Sequence, residues 1–170
     1  MNLILRFIYR LSLGTWVGAI VLVSFVVAPT VFRNLPRHEA GSVMSMVFGG
    51  YYTLCIGFGL VALAAVLLLA LRGGWPRHLL MSAALVLVML AAAGHVRYSI
   101  MPELMMVRSQ VWAAEAADAD GAEGVALRGQ MDSLHHQSVR LNSAMLLIGI
   151  GLIFMAARRE NQLEEANRAT

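Results

Sequence analysis

Long apolar stretches separated by short polar turns dominate the sequence. Charged residues are absent between Arg10 and Arg33 and again from Ala40 to Leu71, and two later stretches are similarly apolar. About 20 apolar residues are the length that an α-helix needs to cross a bilayer. The pattern therefore predicts an all-α integral membrane four-helix bundle in one domain, 1–170, with spans at about 11–32, 50–71, 78–97 and 141–157.

The second apolar stretch is longer than one membrane span requires. We divide it at Gly49–Gly50 and expect a surface helix before that point, with the second span beginning at Tyr51. A single tilted and kinked helix is the alternative. The first apolar stretch exceeds the 7–15 residues of a signal peptide, so we expect the first helix to be retained.

The last helix is predicted to run from Val125 to Ala157 and so to extend beyond the membrane. Polar and methionine side chains recur on it at spacings of three or four, which places them on one helical stripe: Met131, His135, Ser138, Asn142 and Met145. Polar groups in apolar surroundings need partners. We expect His135 and Asn142 to face the bundle and to meet Tyr51, Tyr52, His95, Arg97 and Tyr98.

The polar sequence outside the spans forms an extramembrane loop at about 102–130 and a tail at 158–170. Pro102 is expected to break or kink the third helix, and the acidic run Ala113–Gly124 is predicted to be a mobile loop. In the first span, Gly14 and Gly18 lie four residues apart, a spacing that permits close contact with a neighbouring backbone or with a second copy of the chain in a homo-oligomer.

Composition agrees with a membrane protein, since 59% of the residues are hydrophobic, 14% are charged and the mean hydropathy is +0.69. Soluble domains carry about 25% charged residues. All 13 basic residues are arginines that flank apolar runs, so we expect the lipid bilayer and not nucleic acid as the partner. Cys55 is the single cysteine, which excludes an internal disulfide framework.

The arginines also predict an orientation. The N-terminus, the turn between the second and third spans and the tail contain Arg6, Arg10, Arg72, Arg77, Arg158, Arg159 and Arg168, whereas acidic residues offset the arginines of the other two loops. Arginine-rich segments stay in the cytoplasm. We therefore expect a multi-pass protein of the bacterial inner (cytoplasmic) membrane with both termini cytoplasmic.

Three segments resemble the bacterial domain-of-unknown-function 4149 family (DUF4149), which is related to transmembrane protein 205: TWVGAIVLVSFVVAPTVFRNL, AGSVMSMVFGGYY and LHHQSVRLN. A more distant likeness in layout joins that family to the copper resistance protein D group and to haem-binding membrane oxidases. The resemblance implies a four-helix membrane protein and names no chemistry. Met131 stands where the family leads us to expect an aromatic residue.

The sequence lacks the motifs that several classes of enzyme require. The sequence contains no His-Glu-x-x-His, Cys-x-x-Cys, Gly-x-Ser-x-Gly or phosphate-binding glycine loop. No Asp or Glu lies deep in a span, which argues against a carboxylate-driven pump. We therefore name no catalytic residue.

Three hypotheses remain open. The first is the handling of a small molecule or a soft metal ion such as copper at a polar cluster near the outer end of the bundle. Its candidate binding residues are His95, Arg97, Tyr98, His135, Ser138, Asn142, Tyr51 and Tyr52, and its candidate metal ligands are His95, His135, Met101 and Met131. The second is haem b held between His95 and His135. The third is a non-catalytic scaffold or assembly subunit. Methionine packing and interfacial histidines are the ordinary structural explanations of the same residues.

Overall fold

The computed structural model describes residues 2–116 and 122–168, which are almost entirely helical and contain no strand. In chain order the elements are α1 (Asn2–Leu22), a first π-helical segment (Val23–Val27), α2 (Ala28–Asn34), α3 (Arg37–Gly73), α4 (Arg77–His95), a second π-helical segment (Val96–Ile100), α5 (Met101–Ala116) and α6 (Ala122–Arg168).

Within the described residues, four helical stretches are long and apolar enough to cross a membrane: Leu3–Asn34, Arg37–Gly73, Arg77–Glu115 and Gly124–Arg159. At most 33% of the apolar window of any of them is buried inside the protein. The remaining apolar surface suits lipid, because a helix satisfies its own backbone hydrogen bonds there. The predicted all-α architecture with four spans is confirmed, and the chain is a multi-pass membrane protein.

The four long helices form a ring around one core. α1 packs against α3 and α6, and α4 packs against the same two helices from the other side. Leu13, Trp16 and Ile20 are spaced three and four residues apart on α1, and all three are 0% exposed. They meet buried residues of the other helices, among them Met89 on α4 and Met145 on α6. Dispersion contacts of this kind hold helices together in lipid, where the hydrophobic effect between helices is absent.

Two glycines allow the helices to approach closely. A Cβ on Gly59 would collide with the ring of Trp16 and would lie 2.6 Å from Leu90 Cδ2. A Cβ on Gly149 would lie 2.5 Å from Val17 Cγ2. Because Gly59 and Gly149 have no side chain, α1 can pack closely against α3 and α6.

The predicted close contact at Gly14 and Gly18 is wrong within the described part of the chain. Both glycines are exposed, and a Cβ on either would meet no described atom within 4 Å. The larger residues of α1, Trp16 above all, occupy its inward face and so turn the two glycines outward. A contact with a second copy stays a prediction.

The division at Gly49–Gly50 is also not present, since α3 continues unbroken through both glycines to Gly73. Breaking a helix within a membrane would leave backbone groups unpaired, which costs more than the weak helix propensity of glycine. The helix ends where Gly74 adopts a φ of +79°, a conformation that favours glycine, two residues before Pro76.

The extramembrane loop predicted at 102–130 is mostly helical. α5 continues to Ala116 and α6 already begins at Ala122, so the predicted mobile loop Ala113–Gly124 is helical at both ends. Its centre, 117–121, lies outside the described residues. α6 also continues past Ala157 to Arg168. Alanine, glutamate and arginine are strong helix formers, which explains why these polar segments extend the helices.

Candidate functional site

A chain of side-chain hydrogen bonds joins three helical segments inside the bundle. The Tyr51 hydroxyl on α3 donates to Asn142 Oδ1 on α6 at 2.6 Å. Asn142 Nδ2 in turn donates to Ser24 Oγ at 3.0 Å, and Ser24 lies in the first π-helical segment. The expected contact between Asn142 and Tyr51 is therefore present. The two hydroxyls and the carboxamide thus pair with one another. Each would cost about 1–3 kcal/mol of stability if it were buried without a partner.

Each π-helical segment is centred four residues before a proline. The pyrrolidine ring clashes with the carbonyl of the fourth preceding residue, which is Phe25 for Pro29 and Tyr98 for Pro102. Both of these residues lie in the π-helical segments, where the wider turn makes room for the ring. Pro102 thus widens the third transmembrane helix without ending it.

Aromatic rings surround the buried end of the hydrogen-bonded chain. The ring centroids of Tyr51 and Tyr52 lie 4.7 Å apart, and Phe48 lies 6.2 Å from each of them. Both tyrosines are buried, as is Cys55 one turn further along α3. The thiol accordingly occupies a packing position.

Three residues of the predicted site remain at the surface. His95 and His135 are exposed, and Tyr98 is 71% exposed. The expectation that His135 faces the bundle is wrong, because the neighbouring Leu134 takes the inward position on α6. Burial favours leucine, whereas an imidazole in that place would need a partner. Ser138 is buried and donates to the His135 backbone carbonyl at 2.8 Å, which is a bond within the helix.

The remaining candidates lie at intermediate depth or in the core. The guanidinium carbon of Arg97 lies 5.5 Å from the centroid of the Tyr98 ring. Arg97 Nε is buried without a hydrogen-bond partner among the described residues. Met101 is part of the core, and Met131 is partly buried and packs against the core. The described residues include no group of three or more His, Cys, Asp or Glu that could hold a metal ion. Metal and haem binding at His95 and His135 stay predictions.

A polar contact that the sequence did not reveal fastens α5 to the start of α3. Arg108 Nη1 donates to the carbonyl of Gly41 at 2.5 Å, and its guanidinium carbon lies 4.9 Å from the Trp112 ring centroid. The ring of Trp112 also packs against the imidazole of His38, with the two ring centroids 3.7 Å apart and the planes inclined by 37°. A Cβ on Gly41 would lie 3.2 Å from Arg108 Nη1, so the missing side chain admits the guanidinium to the backbone.

A cavity of about 430 Å³ lies at the other end of the bundle. On α3 its lining residue Leu69 is separated from Tyr51 by roughly 27 Å of helix. Helices α1, α4 and α6 contribute basic or imidazole side chains to its lining: Arg6, Arg10, His78, Arg158 and Arg159. Among the residues up to Arg159 whose side chains the structure describes, none of those that line the cavity is acidic. We call this cavity the basic pocket.

One hydrogen bond joins two walls of the basic pocket. Arg10 Nη2 donates to the backbone carbonyl of Ala156 at 3.5 Å, which joins α1 to α6. Arg6 and Arg159 also line the pocket near His78, where their positive charges disfavour a protonated imidazole. The sequence contained part of the signal for this site, because the predicted orientation rests on the same arginines. It gave no indication that they converge on one cavity.

Comparison with known proteins identifies the family. The sequence pattern described as Domain of unknown function (DUF4149) matches residues 11–111. The chain belongs to that family. No curated protein and no solved structure matches the chain. The DUF4149 match includes Tyr51 and His78 and ends before α6, which provides Asn142 and Arg158. Both the hydrogen-bonded chain and the basic pocket therefore combine DUF4149 residues with the C-terminal helix.

Proposed function

We propose that this multi-pass DUF4149 protein binds an anionic small molecule in the basic pocket. One observation carries the proposal: three helices bring Arg6, His78 and the pair Arg158–Arg159 to a single cavity of about 430 Å³. Guanidinium groups bind phosphate and carboxylate oxygens through paired, charge-assisted hydrogen bonds. Cavities of roughly 300–1,000 Å³ accommodate small-molecule ligands.

Arginines at the ends of membrane spans also act as simple orientation anchors. Two features of the basic pocket go beyond anchoring. Its arginines line a concave space, and Arg6 and Arg159 are near enough to His78 to act on its charge. Like charges held close together repel, and an anion between them relieves that repulsion.

The proposal keeps the small-molecule part of the hypothesis drawn from the sequence and moves it to the other end of the bundle. At the outer end, Asn142 already uses its carboxamide for Tyr51 and Ser24. Copper or haem b at His95 and His135, and the scaffold role, stay predictions. The absorption spectrum and metal content of the purified protein test them. The relation to transmembrane protein 205 and the copper resistance protein D group also stays a prediction.

We further propose that both termini face the cytoplasm, in a bacterial inner membrane. In support of this orientation, the basic pocket gathers arginines from the first and last helices beside the turn that follows Gly73. Arg72 and Arg77 flank the same turn. The arginine-rich end of a bundle stays in the cytoplasm. The basic pocket then opens toward the cytoplasmic surface of the membrane.

The test is isothermal titration of the full chain in a neutral detergent with glycerol 1-phosphate. Arg158→Gln combined with Arg159→Gln removes two positive charges from the pocket. Arg33→Gln combined with Arg37→Gln removes two exposed charges near the end of α2 and the start of α3, and so matches the net charge. We expect the pocket variant to bind about tenfold more weakly, as the loss of a charged hydrogen bond predicts, and the control to bind normally.

Two results would contradict the proposal. Equal weakening in both double variants would indicate a diffuse charge effect without a defined site. Absence of binding by the unmodified protein would leave the arginines as membrane anchors only.

A further inference from the structure

A smaller cavity of about 160 Å³ lies next to the basic pocket, between α1 and α6. Its walls are Arg10, Leu13, Gly14, Ile153 and Ala157. Arg10 lines both cavities, so the smaller one continues from the basic pocket. Apart from Arg10, its walls are apolar. We call it the apolar groove.

Gly14 lines the apolar groove, and Gly18 lies one turn further along the same face of α1. A Cβ on either glycine would meet no described atom within 4 Å, and both residues are exposed. Arg10, Gly14 and Gly18 follow one another at intervals of four residues, over about 12 Å of helix. One face of α1 therefore changes from cationic to open and apolar toward the middle of the membrane.

The basic pocket also contains hydroxyl groups that a headgroup could use. Tyr9 and Ser82 both line it and are 7% and 8% exposed. The Tyr9 hydroxyl lies beside Ser82, but makes no hydrogen bond of good geometry within the described residues. A buried hydroxyl in this state favours a polar ligand group next to it.

We infer that the bound anion is the headgroup of an anionic phospholipid, one of whose acyl chains lies in the apolar groove at Gly14 and continues over the open face of α1 at Gly18. The inference rests on the proposed function, because it names the source of the anion. A phospholipid has a charged end and an apolar end, in the same order as the surface from Arg10 to Gly18. A soluble phosphate compound would fill the basic pocket and leave the groove empty.

The charge of the pocket selects among lipids. Basic pockets between transmembrane helices on the cytoplasmic side bind anionic headgroups. A zwitterionic headgroup would bring its own cation next to Arg158 and Arg159, both of which line the pocket. The pocket should therefore prefer phosphatidylglycerol to phosphatidylcholine.

Native mass spectrometry of the full chain in detergent measures this preference. The probes are dioleoyl phosphatidylglycerol, dioleoyl phosphatidylcholine and glycerol 1-phosphate, the last being a soluble phosphate with the glycerol of the headgroup and no acyl chains. We expect phosphatidylglycerol to bind about tenfold more tightly than phosphatidylcholine. The variant with both Arg158→Gln and Arg159→Gln should lose this preference and should also bind glycerol 1-phosphate more weakly.

A substitution in the groove separates the lipid from the soluble anion. Gly14→Leu fills the groove and should weaken phosphatidylglycerol about fivefold, since it displaces part of the acyl chain, with no effect on glycerol 1-phosphate. Gly57→Leu is the matched control, because Gly57 is an exposed glycine of α3 with equally open space around it. Gly14→Ala should have a smaller effect, and the melting temperature of each variant without lipid shows that it is folded.

Unchanged phosphatidylglycerol binding by folded Gly14→Leu would overturn the inference, as would equal binding of the two lipids. If glycerol 1-phosphate still binds in those cases, the proposed function stands without the lipid. If the unmodified protein binds neither lipid nor glycerol 1-phosphate, both proposals fail.

Discussion

Tyr51 and Asn142 lie 91 residues apart in the chain and share a hydrogen bond of 2.6 Å inside the helix bundle. Asn142 accepts this bond with its oxygen and donates from its nitrogen to Ser24. A carboxamide can serve two helices in this way because it contains an acceptor and a donor on one rigid group. Asn142 is therefore the point at which α6 is fixed to α3 and to the first π-helical segment.

Asn142→Leu should lower the melting temperature of the detergent-solubilised protein. The substitution leaves the hydroxyls of Tyr51 and Ser24 without their partner, and hydrogen bonds between membrane helices contribute about 0.6 kcal/mol on average and up to about 1.7. Ser143→Leu is the control, since Ser143 is exposed on the same helix. Adding Tyr51→Phe to Asn142→Leu should cost less than the sum of the single effects. Strictly additive effects would argue against a direct hydrogen bond.

Gly59→Ala should destabilise the bundle, whereas Gly57→Ala should not. The new methyl group at Gly59 would overlap the Trp16 ring and Leu90, and overpacking of this kind costs about 1–3 kcal/mol. Gly57 lies two residues away on the same helix, with no described atom within 4 Å of a Cβ. Thermal unfolding followed by circular dichroism distinguishes the two. Equal melting temperatures would mean that α1 and α3 are not in close contact at Gly59.

Arg108→Gln should loosen α5 without unfolding the bundle. The variant loses the charged hydrogen bond to Gly41 and the contact with the Trp112 ring, which hold α5 against the start of α3. Hydrogen exchange measured by mass spectrometry should become faster in Met101–Ala116 and stay unchanged in Arg77–His95. Gln110→Ala, at an exposed position of α5, serves as the control. Unchanged exchange in α5 would show that other contacts hold it.

Cysteine labelling tests the proposed orientation. In a Cys55→Ala background, Ser133→Cys and Trp75→Cys place single thiols at exposed positions on α6 and in the turn between α3 and α4. A membrane-impermeant maleimide should label the cysteine at 133 in spheroplasts. The cysteine at 75 should react only after the membrane is made permeable. The reverse pattern would place the termini outside the cytoplasm.

The four spans could be predicted from the sequence because the apolar length that crosses a bilayer is a local property. The partnership of Asn142 with Tyr51 could also be predicted, since a carboxamide in an apolar helix needs a nearby polar group. The orientation of His135 could not be predicted in the same way. Leu134 and His135 lie about 100° apart around α6, so a small rotation of the helix decides which one is buried.

The rotation of α1 about its axis likewise determines which glycines lie in contact with a neighbouring helix. The spacing of Gly14 and Gly18 is typical of helix contacts, whereas nothing in the sequence distinguishes Gly59 from the exposed Gly57. Only the packing of Trp16 against α3 makes Gly59 necessary. The basic pocket depends on tertiary structure to the same degree, because its arginines come from opposite ends of the chain.

The place of α6 in the ring has a consequence for how the protein is made. Synthesis proceeds from the N-terminus, so Ser24 and Tyr51 enter the membrane before the helix that carries Asn142 exists. Until α6 is inserted, the side of α1 that meets α6 is open to lipid. The hydroxyls of Tyr51 and Ser24 lack their hydrogen-bond partner, Asn142, during that time. During synthesis the chain therefore passes through a state with three spans, in which the hydrogen bonds to Asn142 are not yet made. Insertion of its last helix completes the bundle.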